Sequence, residues 1–137
     1  MLRTFMRAKI HRATITYCDP DYVGSITIDA DLLRAADIRP NEAVHVLDID
    51  NGHRFETYVI RGEPGSGVMG VNGAAARLVQ KGHKIIVVAY GLLEPSEVAG
   101  HQARVIVVDA HNRLARRISY PSSLDEEPAE IGTFEVD

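Results

Sequence analysis

A single cysteine, Cys18, stands among 137 residues, and tryptophan is absent. One thiol excludes an intrachain disulfide and a thiolate metal cluster. A basic excess is also missing. With 15 Lys and Arg against 19 Asp and Glu, the net charge is −4, which argues against a nucleic-acid binder. No apolar run approaches membrane-spanning length; the longest, Ile85-Ile86-Val87-Val88-Ala89-Tyr90, suits a buried strand. The opening residues Met1-Leu2-Arg3-Thr4-Phe5 lack the apolar stretch and small-residue cleavage site of a secretory signal. No HExxH, EF-hand or CxxC pattern occurs, and the six histidines share no ligand spacing, so no metal is expected. Cys18 sits beside Asp19, which would raise its pKa and disfavour a thiolate nucleophile. These absences predict a cytoplasmic protein with no nucleic-acid or membrane partner.

What is present is ordinary globular material: 45% hydrophobic and 25% charged residues, at a length that suits one domain. The pattern is one of short strands. Lys9–Tyr17 and Ile26–Ile28 read as strands, and Asp29 or Asp31 caps a short helix carrying Leu32, Leu33 and Ala36. A strand through Val44, Val46 and Ile49 meets Asn51-Gly52, a strong hairpin signal, and returns over His53–Ile60. Val68–Val71 is a further short strand. Asn72 then caps a helix rich in alanine that ends at Lys81-Gly82. The strand Lys84–Tyr90, a helical turn at Pro95–Ala99, and a hairpin of Arg104–Asp109 with Leu114–Ile118 follow. Strands dominate and the helices are brief, so the pattern predicts a mainly β fold, a small closed barrel with covering helices, over residues 1–118. Residues 119–137 turn acidic and proline-bearing, the composition of a disordered tail.

Chemistry concentrates on Gly24-Ser25, between two strand-like runs. Glycine lets a chain bend sharply and store strain, and the Ser25 hydroxyl lies within reach of the Gly24 carbonyl carbon. Held correctly, that hydroxyl can attack its own peptide bond and convert the amide to an ester. The ordinary reading of Gly-Ser is a turn. Its company is Lys9, His11, Arg54, Thr57, Tyr58 and Asn72-Gly73-Ala74-Ala75. Arg54 and Tyr58, four apart on a strand, should share a face, with Thr57 on the other. The plain alternative is a surface arginine, a half-buried tyrosine and a capped helix.

The segments Lys9-Ile10-His11-Arg12, Tyr22-Val23-Gly24-Ser25, Asn51–Tyr58 and Val71–Ala76 resemble those of the pyruvoyl-dependent aspartate 1-decarboxylases, in one register from Met1 to about Tyr90. The resemblance implies a double-psi β-barrel and a homotetramer. It also implies conversion of L-aspartate to β-alanine for pantothenate and coenzyme A synthesis. Cleavage between Gly24 and Ser25 would leave a pyruvoyl group at residue 25, the covalent cofactor that condenses with the substrate amine. By the same resemblance Thr57 assists maturation, Tyr58 donates a proton, and Gly73, Ala74 and Ala75 bind substrate. Arg54 is the natural carboxylate clamp with Lys9 as a second cation, while His11, Tyr22 and Asn72 support the site. Thr57 would reach the site of Arg54 and Tyr58 only through a bulge or bend. Two rivals stay open: an unprocessed binding module with Ser25 inert, and a pyruvoyl decarboxylase acting on another amino acid such as glutamate.

Overall fold

The computed structural model describes residues 1–132, and the last five residues of the expected tail lie outside them. The protein is mainly β. In chain order the elements are β1 (Arg3–Thr14), β2 (Tyr17–Asp19), β3 (Ile26–Asp29), α1 (Ala30–Ala36), β4 (Ala43–Asp48), β5 (Arg54–Gly62) and β6 (Met69–Asn72). A 3-10 turn (Gly73–Arg77), β7 (Lys84–Leu93), α2 (Pro95–Val98), β8 (Gln102–Val108), β9 (Leu114–Pro121) and β10 (Ala129–Ile131) follow. Among the described residues no helix is long and apolar enough to cross a membrane.

The ladders run in the order β10-β9-β8-β1-β7-β4-β5-β3-β6-β2. This series is open: it ends on β10 and β2, and no ladder joins the two, so the closure expected from sequence is absent from the pairings. One end of the series is the three-residue β2, and the other is taken by the β9–β10 hairpin. Two connections each straddle a strand. β2 and β3 lie on either side of β6, parallel and antiparallel to it. β8 and β7 flank β1 in the same sense. The chain between β2 and β3 must therefore cross the end of β6, a lateral step of roughly 10 Å at the usual strand spacing.

The core follows the period-two patterning, with Ile10, Ile15, Ile26, Ile28, Val46, Val59, Val71, Ile85, Val87 and Ile106 all essentially buried. β1 changes phase on the way. Ala8 and Ile10 face inward, then the register shifts between His11 and Ala13, Arg12 takes φ 65°, and Ala13 and Ile15 are buried instead. One extra residue at that bulge moves the inward set from even to odd positions.

Several sequence expectations change. The Asn51-Gly52 hairpin exists, but β4 ends at Asp48 and β5 begins at Arg54, so the turn is longer than two residues. Asp48 accounts for the length: its carboxylate accepts the N–H groups of Asp50 (2.8 Å) and Asn51 (3.2 Å) and widens the turn. The segment from 119 is not uniformly tail-like, since β9 continues through Pro121 and β10 pairs with its residues 117–119. Its acidic composition hid this, because Glu130 meets Arg116 across the strands at 3.0 Å.

Asp29 is the helix cap of the two candidates. Its carboxylate is buried and accepts from Asp31 N–H at 2.8 Å, Gly65 N–H at 3.0 Å and Gly67 N–H at 2.8 Å. One side chain thus fixes the end of β3, the start of α1 and the glycine-rich loop. Asp29→Ala would leave three backbone donors without that acceptor. It is expected to lower unfolding free energy by about 3 kcal/mol or more, read as a shift in the urea midpoint with little change in slope.

Candidate active site

The turn that crosses β6 carries Gly24-Ser25. Ser25 is buried, with 1% of its surface exposed, and takes φ 99°. The other non-glycine residues with positive φ lie between 57° and 73°, in the ordinary left-handed well. Ser25 alone among the described non-glycine residues with positive φ lies well outside that range. Such a conformation costs about 1–3 kcal/mol and persists only where neighbours impose it.

The neighbour is Asn72 at the end of β6. Its backbone N–H donates to the Ser25 carbonyl at 2.9 Å. Its side-chain Nδ2 donates to Ser25 Oγ and to Thr27 Oγ1, both at 3.1 Å. Tyr17 Oη reaches the same Thr27 hydroxyl at 3.1 Å. Asn72 Oδ1 is buried without a hydrogen-bond partner, a condition that costs about 1–3 kcal/mol and is tolerated mainly where a site needs it. The expected capping role is therefore corrected: Asn72 precedes the 3-10 turn but makes no side-chain cap. Its amide is drawn to Ser25 and Thr27 instead.

Gly73 makes the crossing possible. A Cβ at that position would lie 2.9 Å from Gly24 Cα and 3.0 Å from Gly24 N, which real side chains do not reach, and its φ of 71° also favours glycine. On the open side Tyr58 stands over Gly24: a Cβ added to Gly24 would be 3.5 Å from Tyr58 Oη and 3.7 Å from its ring. Ala74 is exposed and Ala75 half-buried just beyond. Tyr22, 50% exposed, begins the strained turn.

The structure brings only part of the expected set together. Gly24, Ser25, Tyr58, Asn72 and Gly73 converge. Arg54 and Tyr58 share the exposed face of β5, as alternation requires, and Thr57 is half-buried on the opposite face. The β4–β5 register runs unbroken from Ala43–Tyr58 to Leu47–Arg54, so the bulge that would turn Thr57 toward Tyr58 is not there. Lys9 and His11 lie on β1, which β7, β4 and β5 separate from β3 in the ladder order. No hydrogen bond or ion pair joins Lys9, His11 or Arg54 to Gly24, Ser25 or Tyr58. Thr27 and Tyr17 were missed from sequence, where Thr27 showed only as the polar position of a short strand.

Electrostatics refine two other expectations. Cys18 is half-buried, and burial rather than Asp19 raises its pKa, with Asp48 as the second cause. The histidines are not all scattered, for His83 Nδ1 lies 2.7 Å from the buried Asp48, close to Asp50. Those carboxylates are already engaged with the N–H groups of Asp50, Asn51 and Lys84, so the group reads as a tie between the β4–β5 turn and β7.

In this mainly β domain Ser25 is buried at a strained backbone position, Asn72 clamps its hydroxyl, and the Tyr58 phenol stands over the half-buried Gly24. The chain belongs to the aspartate decarboxylase family, whose model matches residues 1–115. That family implies a decarboxylase, a lyase, with aspartate as substrate.

Two predictions follow from this geometry. Gly73→Ala should force the Gly24 backbone away and disturb the turn, so cleavage at Gly24-Ser25, where it occurs in the parent, should slow by tenfold or more (about 1.4 kcal/mol in the barrier), followed by gel electrophoresis. His11 has its pKa lowered, by burial first and then by Lys9 and Arg12. A lowered histidine pKa means that the unfolded chain binds the proton first as pH falls. Stability is therefore lost below the ordinary value of 6.5, down to the folded-state pKa. The melting temperature should drop more between about pH 8 and about pH 5.5 in the parent than in His11→Gln.

Proposed function

We propose that this chain is a self-processing, pyruvoyl-dependent aspartate 1-decarboxylase of the cytoplasm. It would convert L-aspartate to β-alanine and carbon dioxide for pantothenate and coenzyme A synthesis. The observation that carries the reading is Ser25 itself: buried, held at φ 99°, with Oγ on the Asn72 amide. An inert turn would gain nothing from that strain. The family match supports aspartate over glutamate as the substrate and an enzyme over a bare binding module.

In the proposed maturation Ser25 Oγ attacks the Gly24 carbonyl carbon, and the amide becomes an ester. β-Elimination then breaks the Cβ–Oγ bond of residue 25; the piece ending at Gly24 departs as a carboxylate and residue 25 becomes dehydroalanine. Hydrolysis of that residue releases ammonia and leaves a ketone. Strain released at Ser25 favours the first step, and the fixed Asn72 donor keeps Oγ in place. Thr57, in this reading, hydrogen-bonds the oxyanion at Gly24, for which the β5 strand must bend locally. The resulting pyruvoyl group supplies the electron sink for decarboxylation.

The remaining residues bind and protonate. Tyr58 Oη, already beside Gly24, donates the proton to the carbanion carbon. Backbone N–H groups of Gly73, Ala74 and Ala75 meet a substrate carboxylate closely because their side chains are small. Arg54 offers its planar fork to a carboxylate, and Lys9 adds charge, with His11 and Tyr22 in support. In one chain these cations stand apart from Ser25, which favours a homotetramer with active sites between neighbouring subunits. The two connections that straddle β6 and β1 support the double-psi form of the barrel.

The test separates maturation from turnover. Ser25→Ala should stay one chain and be inactive by mass and β-alanine assay. Tyr58→Phe should cleave normally yet lose roughly 10²–10⁴-fold in kcat, the usual worth of a positioned acid. Cleavage persisting in Ser25→Ala would sink the mechanism, and full turnover in Tyr58→Phe would remove Tyr58 as the donor.

A further inference from the structure

A second concave site opens at the far end of β3. Its cavity, about 340 Å³, is lined by Ala30, Leu33 and Ile38 of the α1 region, Pro40, and the arginines Arg34, Arg39, Arg61 and Arg104, with Asp37 as its one carboxylate. That volume falls in the range of small-molecule pockets. Ser25 immediately precedes β3 and Ala30 immediately follows it, a separation of roughly 16 Å at ~3.3 Å per residue. On β5 the two sites lie three residues apart, at Tyr58 and Arg61. The cavity is therefore not the Gly24-Ser25 site.

Four arginines line this cavity on a chain whose net charge is −4. Only part of this charge is met locally. Asp37 lies 3.6 Å from Arg7, whose guanidinium also donates to the Asp37 carbonyl and pairs with Glu42. Arg104 donates to the Ala35 carbonyl at 3.4 Å, and Arg34 reaches Asp31 at 3.8 Å. Arg7 and Arg104 thus take up the negative carbonyl end of α1, which would otherwise repel an anion. Among the described residues, the side chains of Arg39 and Arg61 find no hydrogen-bond or ion-pair partner, although both residues line the cavity. Like charges are not gathered without cost in a concavity, and planar forks suit the oxygens of phosphate groups. Leu33, Ile38 and Pro40 add an apolar wall against which an organic moiety can lie.

We propose that this cavity binds a multiply charged phosphate ligand, the diphosphate portion of an organic phosphate, gripped chiefly by Arg39, Arg61 and Arg104. The full-length, natively assembled protein would be titrated by calorimetry with inorganic diphosphate and, separately, with ADP. One saturable site per chain is expected, weakening as salt rises. Arg61→Gln and Arg39→Gln, both exposed positions, should each weaken binding about tenfold, while Arg54→Gln and saturating L-aspartate should leave it unchanged. Tighter binding of ADP than of diphosphate would assign the apolar wall to an organic group. Equal binding would assign the site to the diphosphate alone, and either result supports it. Absence of saturable heat, or binding lost in Arg54→Gln and kept in Arg61→Gln with unaltered circular dichroism, would overturn the proposal. Neither outcome depends on whether Ser25 matures.

Discussion

The contact between Asn72-Gly73 and Gly24-Ser25 is the constraint on which the site depends. It arises from topology. β2 and β3 are joined to each other yet each pairs with β6, so the chain between them has to pass over the end of β6. The passage is close enough that only glycine fits at 73. Having passed, the chain must enter β3 immediately, because Ile26 already pairs with Val59 on one side and Val71 on the other. Ser25 is caught between those demands, and its φ of 99° is the residue of the conflict. Two hydrogen bonds from Asn72 hold it there, and a third ties the same amide to Thr27.

The two sides of the Gly24-Ser25 peptide differ. The Asn72 amide engages the hydroxyl of Ser25 from within the sheet, through the same donor that fixes Thr27. Tyr58 approaches Gly24 from the exposed face of β5, where 38% of its surface is open. One side of the peptide is buried against Asn72, and the other is open beside Tyr58. The function proposed above would use both sides, one to hold the serine and one to admit a small molecule.

Much of the fold was legible because strands announce themselves by alternation. β3, β4, β6 and β7 appear close to their expected positions, and Asp29 acts as one of the two caps foreseen. What stayed hidden depends on contacts distant in sequence. The bulge at Arg12 shifts the phase of β1 without any glycine to mark it. Asn112, in the turn of the expected hairpin between Asp109 and Leu114, is buried; it accepts Thr14 N–H at 2.7 Å and donates to the carbonyls of Thr14 and Gly67 at 2.9 and 2.8 Å. A turn residue and a long-range clamp have the same local sequence. The arginine-lined cavity draws on α1, β5 and β8, segments that no linear motif connects.

Asn72 shows why the site was only half readable. Before a run of small residues, an asparagine is by local rule a helix cap, and its backbone does precede the 3-10 turn. A cap, however, requires its side chain to fold back on the next two residues. Here β6 is flanked on one side by β3, and the hydroxyls of Thr27 within it and of Ser25 just before it offer acceptors across the ladder, both taken at 3.1 Å. The 3-10 turn is short enough to do without a cap, whereas Ser25 has no other side-chain donor. The local preference therefore yields to the long-range one. The residue that holds the serine is identified by the strand crossing that strains it, not by its own neighbours in sequence.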